Sequence, residues 1–353
     1  MNSAQNTHCI LFISTNDGSD MRINKEVRSL AKHADIIFLG VGDKANCYVS
    51  PYCKQVFLIR GKRNSAFVLI KQVLVFLKLL VTKKISSIHV INEQLYIFFY
   101  PFLFFKHTVL DLFDSIFLRK NIGGEKLKWI KQLVYWPANK ILVTDENRYN
   151  LMPQAVHSKC LVLPNFPEYF SYDAEKESSA ELRILYNGWM GLSRGTEIIE
   201  GLLETKLPLT IFMAGWFSDD YTAALVKKYP GNIQFLGTIP QRQALKIAQQ
   251  KADYILCVYA PINQNNINAS PNKVYDAIQT RTPLIINTEV KVSEWVKING
   301  LGFILKKYHI DDYTSLYNDL NKAKGTFKFS DELKMHYTWE RTEDNLFKAH
   351  KIK

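Results

Sequence analysis

The chain has 353 residues, which is long enough for two domains that each bury a hydrophobic core. Its hydrophobic fraction of 47% and charged fraction of 22% are those of an ordinary globular protein and exclude a disordered chain. The formal net charge is +12, and residues 1–165 hold 22 Lys and Arg against 11 Asp and Glu, so nearly all of the excess lies in the first half. A basic half suits nucleic acid, an anionic membrane surface or an acidic substrate.

The cysteines and the first residues bear on the cellular compartment. Five cysteines are scattered along the chain, and no two of them have the spacing of metal ligands: Cys9, Cys47, Cys53, Cys160 and Cys257. This usage predicts a reducing cytoplasm. The first residues, MNSAQNTHCILFIS, lack a charged segment followed by a long apolar run, so we expect no export signal.

Short apolar runs alternate with helical patterns through the first half, which is typical of a doubly wound parallel sheet. We expect strands at 9–14, 36–41, 55–59, 88–91, 109–112 and, as the last of this half, 141–144. Apolar residues at helical spacing predict a helix at 22–33. A second helix, at 66–81, is apolar nearly all round but shorter than the roughly 20 residues that a membrane-spanning helix needs.

The same pattern restarts after a polar, acidic segment. We expect strands of the second half at 182–186, 209–214, 233–236, 254–258, 283–286 and 302–304. The sequence thus predicts an N-terminal domain at 1–166, a linker at 167–180, a second domain at 181–330 and a C-terminal helix at 331–353 that packs back towards the first domain. Ligands of such sheets bind at the carboxyl ends of the strands, so a cleft between the domains is the expected active site.

One unit of the second half, ADYILCVYAPINQNNINASPNKVYDAIQTRTPLIIN, carries the most information. It predicts a strand, a polar loop, a helix with Ser270 as N-cap and Pro271 as its first residue, and another strand. A helix N-terminus attracts phosphate. Asn272 and Lys273 lie in the first turn and Asp276 one turn further, which suits the pyrophosphate and ribose of a nucleotide. The alternative is that Lys273 is solvated and Asp276 only helps the helix to start.

Three strands of the second half run into glycine. Gly188, Gly215 and Gly237 follow apolar runs in consecutive units, where glycine allows the backbone to approach a ligand or to turn sharply. Each of them alone is explained by a plain turn. Arg194 lies in the loop after the first of these strands, where its guanidinium could pair a phosphate bidentately.

These motifs resemble the donor-binding domain of retaining glycosyltransferases of family 4, of the bacterial surface-polysaccharide type. ILYNGWMGLSRGTEIIEGL is similar to their glycine loop, TIFMAGW to their next strand, and SPNKVYDAIQTRTPLIIN to their nucleotide-binding helix. SDMRINKEVRSLAKHADIIFLG in the first half is similar to the entry segment of many such enzymes. The resemblance implies an α/β chain with the GT-B architecture: two Rossmann-like doubly wound parallel-sheet domains facing across a cleft.

The resemblance also implies roles for individual residues of the second domain. Arg194 and Lys273 would hold the diphosphate as catalytic residues, and Asp276 would bind the ribose. The family's paired glutamates fall on Asn268 and Asp276, so the pair is degenerate at both positions. Trp189 stands where many relatives have an arginine. The donor-binding set is Gly188, Gly215, Gly237, Tyr259, Asn268, Ser270, Asn272 and Asp276.

In the first half, the segments SSIHVINEQ and VLDLFDS resemble strand ends that line the family's cleft. His89 is the candidate catalytic residue that would touch the donor sugar or its departing phosphate; the alternative is a core histidine inside an apolar strand. Asn16, Asp17, Glu93 and Asp114 are the candidates for binding acceptor hydroxyls, although Asp114 could equally cap a local turn. We expect no metal and no cofactor, because the helix dipole and the cations would take up the leaving charge.

The expected reaction moves a sugar from a UDP-type or GDP-type donor to an acceptor hydroxyl, as a hexosyltransferase. Lysines and aromatic residues in the first half (Lys71, Lys78, 98–105 and 117–136) suit docking on anionic lipid, where a lipid-linked or oligosaccharide acceptor would be presented. The alternative is that the aromatic residues are core and the lysines solvated. We expect a cytoplasmic protein at the inner face of the plasma membrane and no nucleic-acid partner. A nucleotide-sugar epimerase or phosphorylase, or a non-catalytic nucleotide-sugar-binding protein, remain alternatives.

Overall fold

The computed structural model describes residues 8–63, 65–120, 128–171 and 175–352. The chain divides into two compact α/β units: Met1–Asn165 together with Trp339–Lys353, and Phe166–Thr338. Each unit is built on its own parallel sheet. The predicted alternation of strands and helices is therefore confirmed for both halves.

The first domain contains a seven-stranded parallel sheet with the order β3-β2-β1-β4-β5-β6-β7. Its strands are β1 (Cys9–Ile13), β2 (Asp35–Val41), β3 (Gln55–Ile59), β4 (Ser87–Ile91), β5 (His107–Leu112), β6 (Lys140–Val143) and β7 (Cys160–Val162). The prediction that the sixth strand is the last of this half was wrong. The seventh strand is apolar but has only three residues, and it pairs with β6 at the edge of the sheet.

Helices cover both faces of this sheet. They are α1 (Met21–Leu30), α2 (Ala66–Thr82), α3 (Asn92–Phe99), α4 (Ile116–Arg119), α5 (Lys128–Tyr135) and α6 (Glu146–Asn150). The side chain of Asp20 caps α1 by accepting from the N–H groups of Arg22 and Ile23, and Ser65 caps α2 in the same way. Helices α2, α3 and α5 contribute to one core cluster, whereas α1 packs on the opposite face of the sheet.

The second domain contains a six-stranded parallel sheet with the order β10-β9-β8-β11-β12-β13. Its strands are β8 (Leu182–Met190), β9 (Leu209–Phe217), β10 (Ile233–Phe235), β11 (Tyr254–Leu256), β12 (Leu284–Asn287) and β13 (Gly302–Leu305). Its helices are α7 (Thr196–Glu204), α8 (Asp220–Lys228), α9 (Gln241–Gln250), α10 (Gln264–Ile267), α11 (Asn272–Thr280), α12 (Val292–Ile298), α13 (Tyr313–Ala323) and α14 (Asp331–His336).

The C-terminal segment, which the sequence predicts as one helix at 331–353, is divided in the structure. Helix α14 ends at His336, a short 3₁₀ turn follows, and α15 spans Glu343–His350. The reason is that its apolar anchors belong to two cores. Leu333 packs on the core of the second domain, whereas Trp339 and Leu346 are buried in the core of the first.

The segment predicted as a linker is attached to the second domain in its described parts, and residues 172–174 lie outside them. Phe170 is buried, and its backbone N–H donates to Oε1 of Gln279 at 3.1 Å. The N–H of Glu177 donates to the carbonyl of Gln250 at 2.8 Å. Among the described residues, no helix has both the length and the apolar character that crossing a bilayer requires.

Candidate functional site

The carboxyl ends of β8 and β11 meet at the centre of the second sheet. The strand order reverses between these two neighbours, because β9 and β10 extend to one side of β8 and β12 and β13 to the other side of β11. Such a reversal leaves a crevice beside the strand ends, which is where open α/β sheets bind their ligands. Helix α11 and the segment between β11 and α11 carry five of the eight residues predicted to bind a donor, and Arg194 lies in the loop after β8.

The three predicted glycines lie together at this edge of the sheet. Gly188 pairs with Gly215 in the ladder of β8 and β9, and the N–H of Gly215 donates to the carbonyl of Gly237 at 2.8 Å. A Cβ atom at Gly215 would collide with the carbonyl oxygen of Gly188, and all three glycines have positive φ. The prediction that β8 and β9 end at their glycines was wrong, because the ladder continues to Met190 and Phe217.

Arg194 lies in a tight turn directly after β8. The next residue, Gly195, has a left-handed backbone (φ 97°), which returns the chain into α7. One guanidinium nitrogen of Arg194 donates to Oδ1 of Asn266 at 3.1 Å. Its Cζ lies 4.0 Å from the ring centroid of Tyr259 and 5.3 Å from that of Trp189. Arg194 is thus surrounded by aromatic rings and an amide.

Lys273 lies in the first turn of α11. Its Nζ donates to the carbonyl of Leu256, the last residue of β11, at 2.9 Å, and lies 5.7 Å from the ring centroid of Tyr186. Burial lowers the pKa of Lys273 to about 8, and the positive charge of Arg194 acts in the same direction. Two cations therefore share this edge of the sheet.

The start of α11 differs from the prediction by one residue. Pro271, with an extended backbone (φ −71°, ψ 128°), occupies the N-cap position, and the helix begins at Asn272. Ser270 therefore precedes the cap, and no side chain caps this end. Asn272 is exposed in the first turn. An N-terminus without a side-chain cap offers its backbone N–H groups to an anion.

The two members of the degenerate pair are both buried. Asp276 accepts a hydrogen bond from Nε2 of Gln241 at 3.0 Å and lies one turn after Lys273. Asn268 is 1% exposed, and its Nδ2 donates to the carbonyl of Gln264 at 2.8 Å. The amide of Asn268 thus stabilises the loop to which it belongs.

Tyr259 is fixed through its backbone. Its N–H donates to Oδ1 of Asn287 at 2.9 Å, and its carbonyl accepts from Nδ2 of the same amide at 3.0 Å. Asn287 is fully buried at the end of β12. Sequence reasoning missed Asn287, Asn266 and Gln241; the position of Asn287 at a strand end was the one signal that could have pointed to it.

The first-domain candidates Asn16 and Asp17 form a tight loop after β1. Oδ1 of Asn16 accepts from the N–H of Gly18 at 2.8 Å, and Oδ1 of Asp17 accepts from the N–H of Ser19 at 3.2 Å. Asp17 is 5% exposed, and Arg63 approaches its carboxylate to 3.9 Å. Both side chains therefore stabilise the backbone of this loop.

His89 is fully buried in β4 and belongs to a polar network. Its Nδ1 lies 3.0 Å from Nε2 of His350, whose Nδ1 lies 2.8 Å from the hydroxyl of Ser87. Its Nε2 lies 3.5 Å from Asp111 and 3.6 Å from Glu26. Burial lowers the pKa of both histidines. This geometry matches the alternative of a core histidine.

Arg22 completes this network. Its guanidinium lies 2.8 Å from Glu26 and 2.9 Å from Asp111, with all three side chains buried. Burial, together with Asp111, holds the pKa of Glu26 well above its usual range. Burial opposes the ionisation of Asp111, but Arg22 and the hydrogen bonds from His89 and Glu26 together outweigh burial and lower that pKa. Glu26, His89 and Asp111 have the ligand types of a metal site, with atoms within 4.8 Å of one another, yet Arg22 already supplies the positive charge.

The other two acceptor candidates differ in exposure. Glu93 is fully buried and accepts from the hydroxyls of Ser115 at 2.8 Å and Tyr135 at 2.9 Å. Burial raises the pKa of Glu93. The side chain of Asp114 is 47% exposed, with Arg119 at 3.6 Å. Of the predicted acceptor residues, only Asp114 presents an exposed carboxylate.

Comparison with known proteins finds no matching family model and no matching curated protein sequence. Solved structures do match over nearly the whole chain. HepE from Anabaena, crystallised with UDP and glucose, has a TM-score of 0.64 and 13% identity over 97% of this chain and 95% of that chain. The lipopolysaccharide outer core galactosyltransferase WaaB has a TM-score of 0.64 and 12% identity, and the match covers 97% of this chain and 98% of that chain. Sucrose-phosphate synthase from Thermosynechococcus elongatus has a TM-score of 0.68 and 14% identity, and the match covers 98% of this chain and 94% of that chain.

The fold is GT-B. Two Rossmann-like parallel sheets in one chain, matched throughout by structures of this class, confirm the predicted fold. At identities of 12–14% the likeness concerns the GT-B fold and not the activity. The function has to be argued from the residues of this chain.

Proposed function

We propose that this protein is a nucleotide-sugar glycosyltransferase. The observation that carries the proposal is the pair Arg194 and Lys273. Both side chains lie at the strand reversal of the second sheet, and neither has a carboxylate within 4 Å among the described residues. The two partly buried cations repel each other, and Asp276 attracts Lys273 less strongly than Arg194 repels it. A bound anion would relieve the remaining repulsion.

A diphosphate is the anion that best fits this site. The start of α11 offers backbone N–H groups next to Lys273, and the glycines of β8 and β9 leave backbone without side chains nearby. Asp276 would then receive the ribose hydroxyls, as the resemblance implies. HepE, of the same fold, was crystallised with UDP-glucose as well as with UDP. A UDP-type donor is therefore the first to test.

The proposed reaction breaks the bond between the anomeric carbon and the diphosphate and forms a bond to an acceptor hydroxyl with retention. Arg194 and Lys273 stabilise the departing negative charge. The leaving phosphate takes the proton of the acceptor hydroxyl as the new bond forms on the same face. No metal takes part in this scheme. Retention and membership of family 4 rest on the sequence resemblance, and proton NMR of the anomeric configuration in the first product tests them.

Binding of UDP, measured by isothermal titration calorimetry, tests the site. We expect Arg194→Ala and Lys273→Ala each to weaken UDP binding by about 10- to 100-fold, because each removes a charge-assisted hydrogen bond. Lys297→Ala is the matched control, since it removes a lysine charge from an exposed position on α12. If the wild type binds no nucleotide diphosphate, or if both alanine variants bind UDP as well as the control does, the site assignment fails.

We further propose that the acceptor is a lipid-linked glycan of surface polysaccharide synthesis, met at the cytoplasmic face of the membrane. Helix α2 supports this, because it is apolar on both faces: Phe76 is buried, whereas Phe67 and Leu74 are 65% and 61% exposed. Helices α3 and α5 pack on the same face of the sheet and also expose large apolar side chains. The exposed set is Phe67, Ile70, Leu74, Val81, Ile97, Phe98, Phe104, Phe105, Trp129, Leu133 and Trp136.

Basic residues accompany this apolar surface. Lys71 and Lys78 are exposed on α2 at helical spacing from Leu74, and most of the net charge of the chain lies in the first half. Apolar side chains that enter the headgroup region, flanked by lysines, bind anionic bilayers. Residues 121–127, which belong to the predicted basic and aromatic segment, lie outside the described residues.

Co-sedimentation with vesicles of phosphatidylglycerol and phosphatidylcholine tests the docking. We expect binding at low salt, and we expect Leu74→Glu and Trp136→Glu each to reduce it several-fold. Ile298→Glu is the control, because Ile298 is 76% exposed in the second domain. Absence of wild-type binding to the anionic vesicles would remove the membrane from the proposal and leave the donor site untouched.

One observation favours a second candidate, a non-catalytic nucleotide-sugar-binding protein. The neutral Asn268 replaces a carboxylate of the family pair, and its amide is engaged by Gln264. A binding protein would take up UDP-sugar but never release UDP in the presence of any acceptor. An epimerase or phosphorylase would turn over without an acceptor hydroxyl. Measuring both UDP release and the identity of the nucleotide sugar that remains, with and without a membrane lipid extract, separates the three.

A further inference from the structure

Trp189 and Trp216 form a natural pair for comparison. They lie opposite each other in the ladder of β8 and β9, and their side chains are 50% and 57% exposed. Both follow a glycine, Gly188 and Gly215 respectively. Their surroundings differ in one respect: the Trp189 ring lies 5.3 Å from Cζ of Arg194, whereas no described cation lies over the ring of Trp216.

Arg194 is contacted by a second ring on a separate loop. The ring centroid of Tyr259, beyond β11, lies 4.0 Å from Cζ of Arg194. The described hydrogen bonds of this guanidinium all come from one terminal nitrogen, to Asn266 and to the carbonyl of Ser193. The other terminal nitrogen and Nε make no hydrogen bond to the described residues.

Both rings are attached to rigid parts of the domain. Trp189 belongs to the extension of β8 that pairs residue by residue with β9. The backbone of Tyr259 is bonded at N–H and C=O to the buried amide of Asn287, which also donates to Glu289 at 2.8 Å. A flexible arginine held by groups on fixed elements loses less conformational entropy when it binds.

Aromatic rings hold a cation in a way that a carboxylate cannot. The face of a ring attracts a guanidinium through its quadrupole, and the ring carries no net charge. An ion pair with Asp or Glu would fix Arg194 equally well but would neutralise it. The aromatic contacts therefore keep the full positive charge of Arg194 available to an incoming anion.

We infer that Trp189 and Tyr259 are positioning residues, which hold the guanidinium of Arg194 in the orientation that grips the diphosphate. This inference rests on the proposed donor site and adds to it the groups that organise its arginine. It gives Trp189 a role through Arg194, and not through direct contact with the nucleoside or the sugar.

Two probes separate action through Arg194 from direct stacking on the ligand. UDP carries a base that could stack on an indole, whereas inorganic pyrophosphate carries only the charge. We expect Trp189→Leu and Tyr259→Leu each to weaken the binding of both probes by the same factor, about 3- to 30-fold. Trp189→Phe and Tyr259→Phe retain an aromatic face and should recover most of the affinity, with unchanged thermal stability.

Trp216→Leu is the matched control, since it removes an equally exposed indole from the same pair of strands. A double-mutant cycle adds a second readout: in the Arg194→Ala background, Trp189→Leu should have no further effect on either probe. Two results would show that Trp189 contacts the nucleotide directly and would overturn the inference. One is that Trp189→Leu weakens the binding of UDP but not of pyrophosphate. The other is that Trp189→Leu weakens binding by the same factor in the Arg194→Ala background.

The two proposals fail in different ways. If the wild type binds neither UDP nor pyrophosphate, the donor site itself is refuted and the positioning role falls with it. If the wild type binds both probes and the leucine variants bind them equally well, the donor site stands and only the positioning role is refuted.

Discussion

Raising the pH above 8 should weaken the binding of UDP, through the proton of Lys273. Burial lowers the pKa of this ammonium to about 8, with Arg194 adding to the effect. A bound diphosphate favours the charged lysine and raises its pKa again. The free protein must therefore take up a proton to bind UDP once the pH exceeds 8, and the affinity falls accordingly.

The size of the effect follows from this pKa. Below pH 7 Lys273 is charged in both the free and the UDP-bound protein, so the affinity for UDP does not depend on pH. Above pH 8 the affinity should fall by about tenfold for each pH unit. The total change between pH 7 and pH 9 is about tenfold. The stability of the free protein should change in the opposite direction: burying the ammonium is unfavourable below pH 8, and this penalty is relieved as the pH rises towards the ordinary lysine value of 10.5.

Isothermal titration calorimetry with UDP between pH 7 and pH 9 measures the profile. Lys273→Arg is the control, since arginine stays charged throughout and should give a flat profile. Thermal unfolding at each pH verifies that every sample is folded. If the wild type binds UDP with the same affinity at pH 7 and pH 9, either the pKa of Lys273 is not lowered or Lys273 does not contact the diphosphate, and the reasoning is refuted.

Three further predictions concern residues that the structure places in the cores. Glu93→Ala should lower the free energy of unfolding by about 3 kcal/mol, measured by urea denaturation, because it leaves the buried hydroxyl of Tyr135 unpaired; Glu93→Gln keeps an acceptor and should lower it less. Burial holds the pKa of His350 well below its usual value, so wild-type stability should fall as the pH drops below 6.5, where the unfolded chain takes up the proton; His350→Gln should flatten this slope. Gly215→Ala should abolish UDP binding or folding, because its Cβ would collide with the carbonyl of Gly188, whereas Gly231→Ala meets open space and should do neither.

The sheets could be predicted from the sequence because their central strands are buried on both faces. A parallel strand covered by helices reads as a continuous apolar run, and 10–13, 141–143 and 284–286 are such runs. The edge strand Cys160–Val162 is apolar but only three residues long, and it was missed. The glycines of β8 and β9 suggested strand ends, yet the paired ladder continues past both of them, because backbone hydrogen bonding tolerates a glycine in each strand.

The start of α11 shows a limit of predicting helix boundaries from residue preferences. Proline is compatible with both the N-cap and the first helical position, since it fixes φ and leaves ψ free. Ser270 is a good N-cap by residue type, which favoured the earlier boundary. The structure gives Pro271 a ψ of 128°, which is extended, and the helix begins one residue later.

The residues of the candidate site likewise fall into those that local sequence predicts and those that it does not. Arg194 and Lys273 could be named from the sequence because each follows a strand within a recognisable unit. Their supporting residues could not, since Asn266 and Asn287 act on partners that lie 72 and 28 residues away. The network of His89 depends on His350, which is 261 residues away, so an apolar strand alone could not distinguish a catalytic from a core histidine.

The two polar clusters of this chain differ in their charge balance. In the first domain, the buried Arg22 is paired with Glu26 and Asp111, and the charges compensate one another within the protein. In the second domain, Arg194 and Lys273 have aromatic, amide and carbonyl partners but no described carboxylate within 4 Å. A buried cluster that is already neutral stabilises the fold and gains nothing from a ligand, whereas a pair of like charges at an open strand edge gains from an anion. This difference, more than the identity of any single residue, is the reason why we propose ligand binding in the second domain.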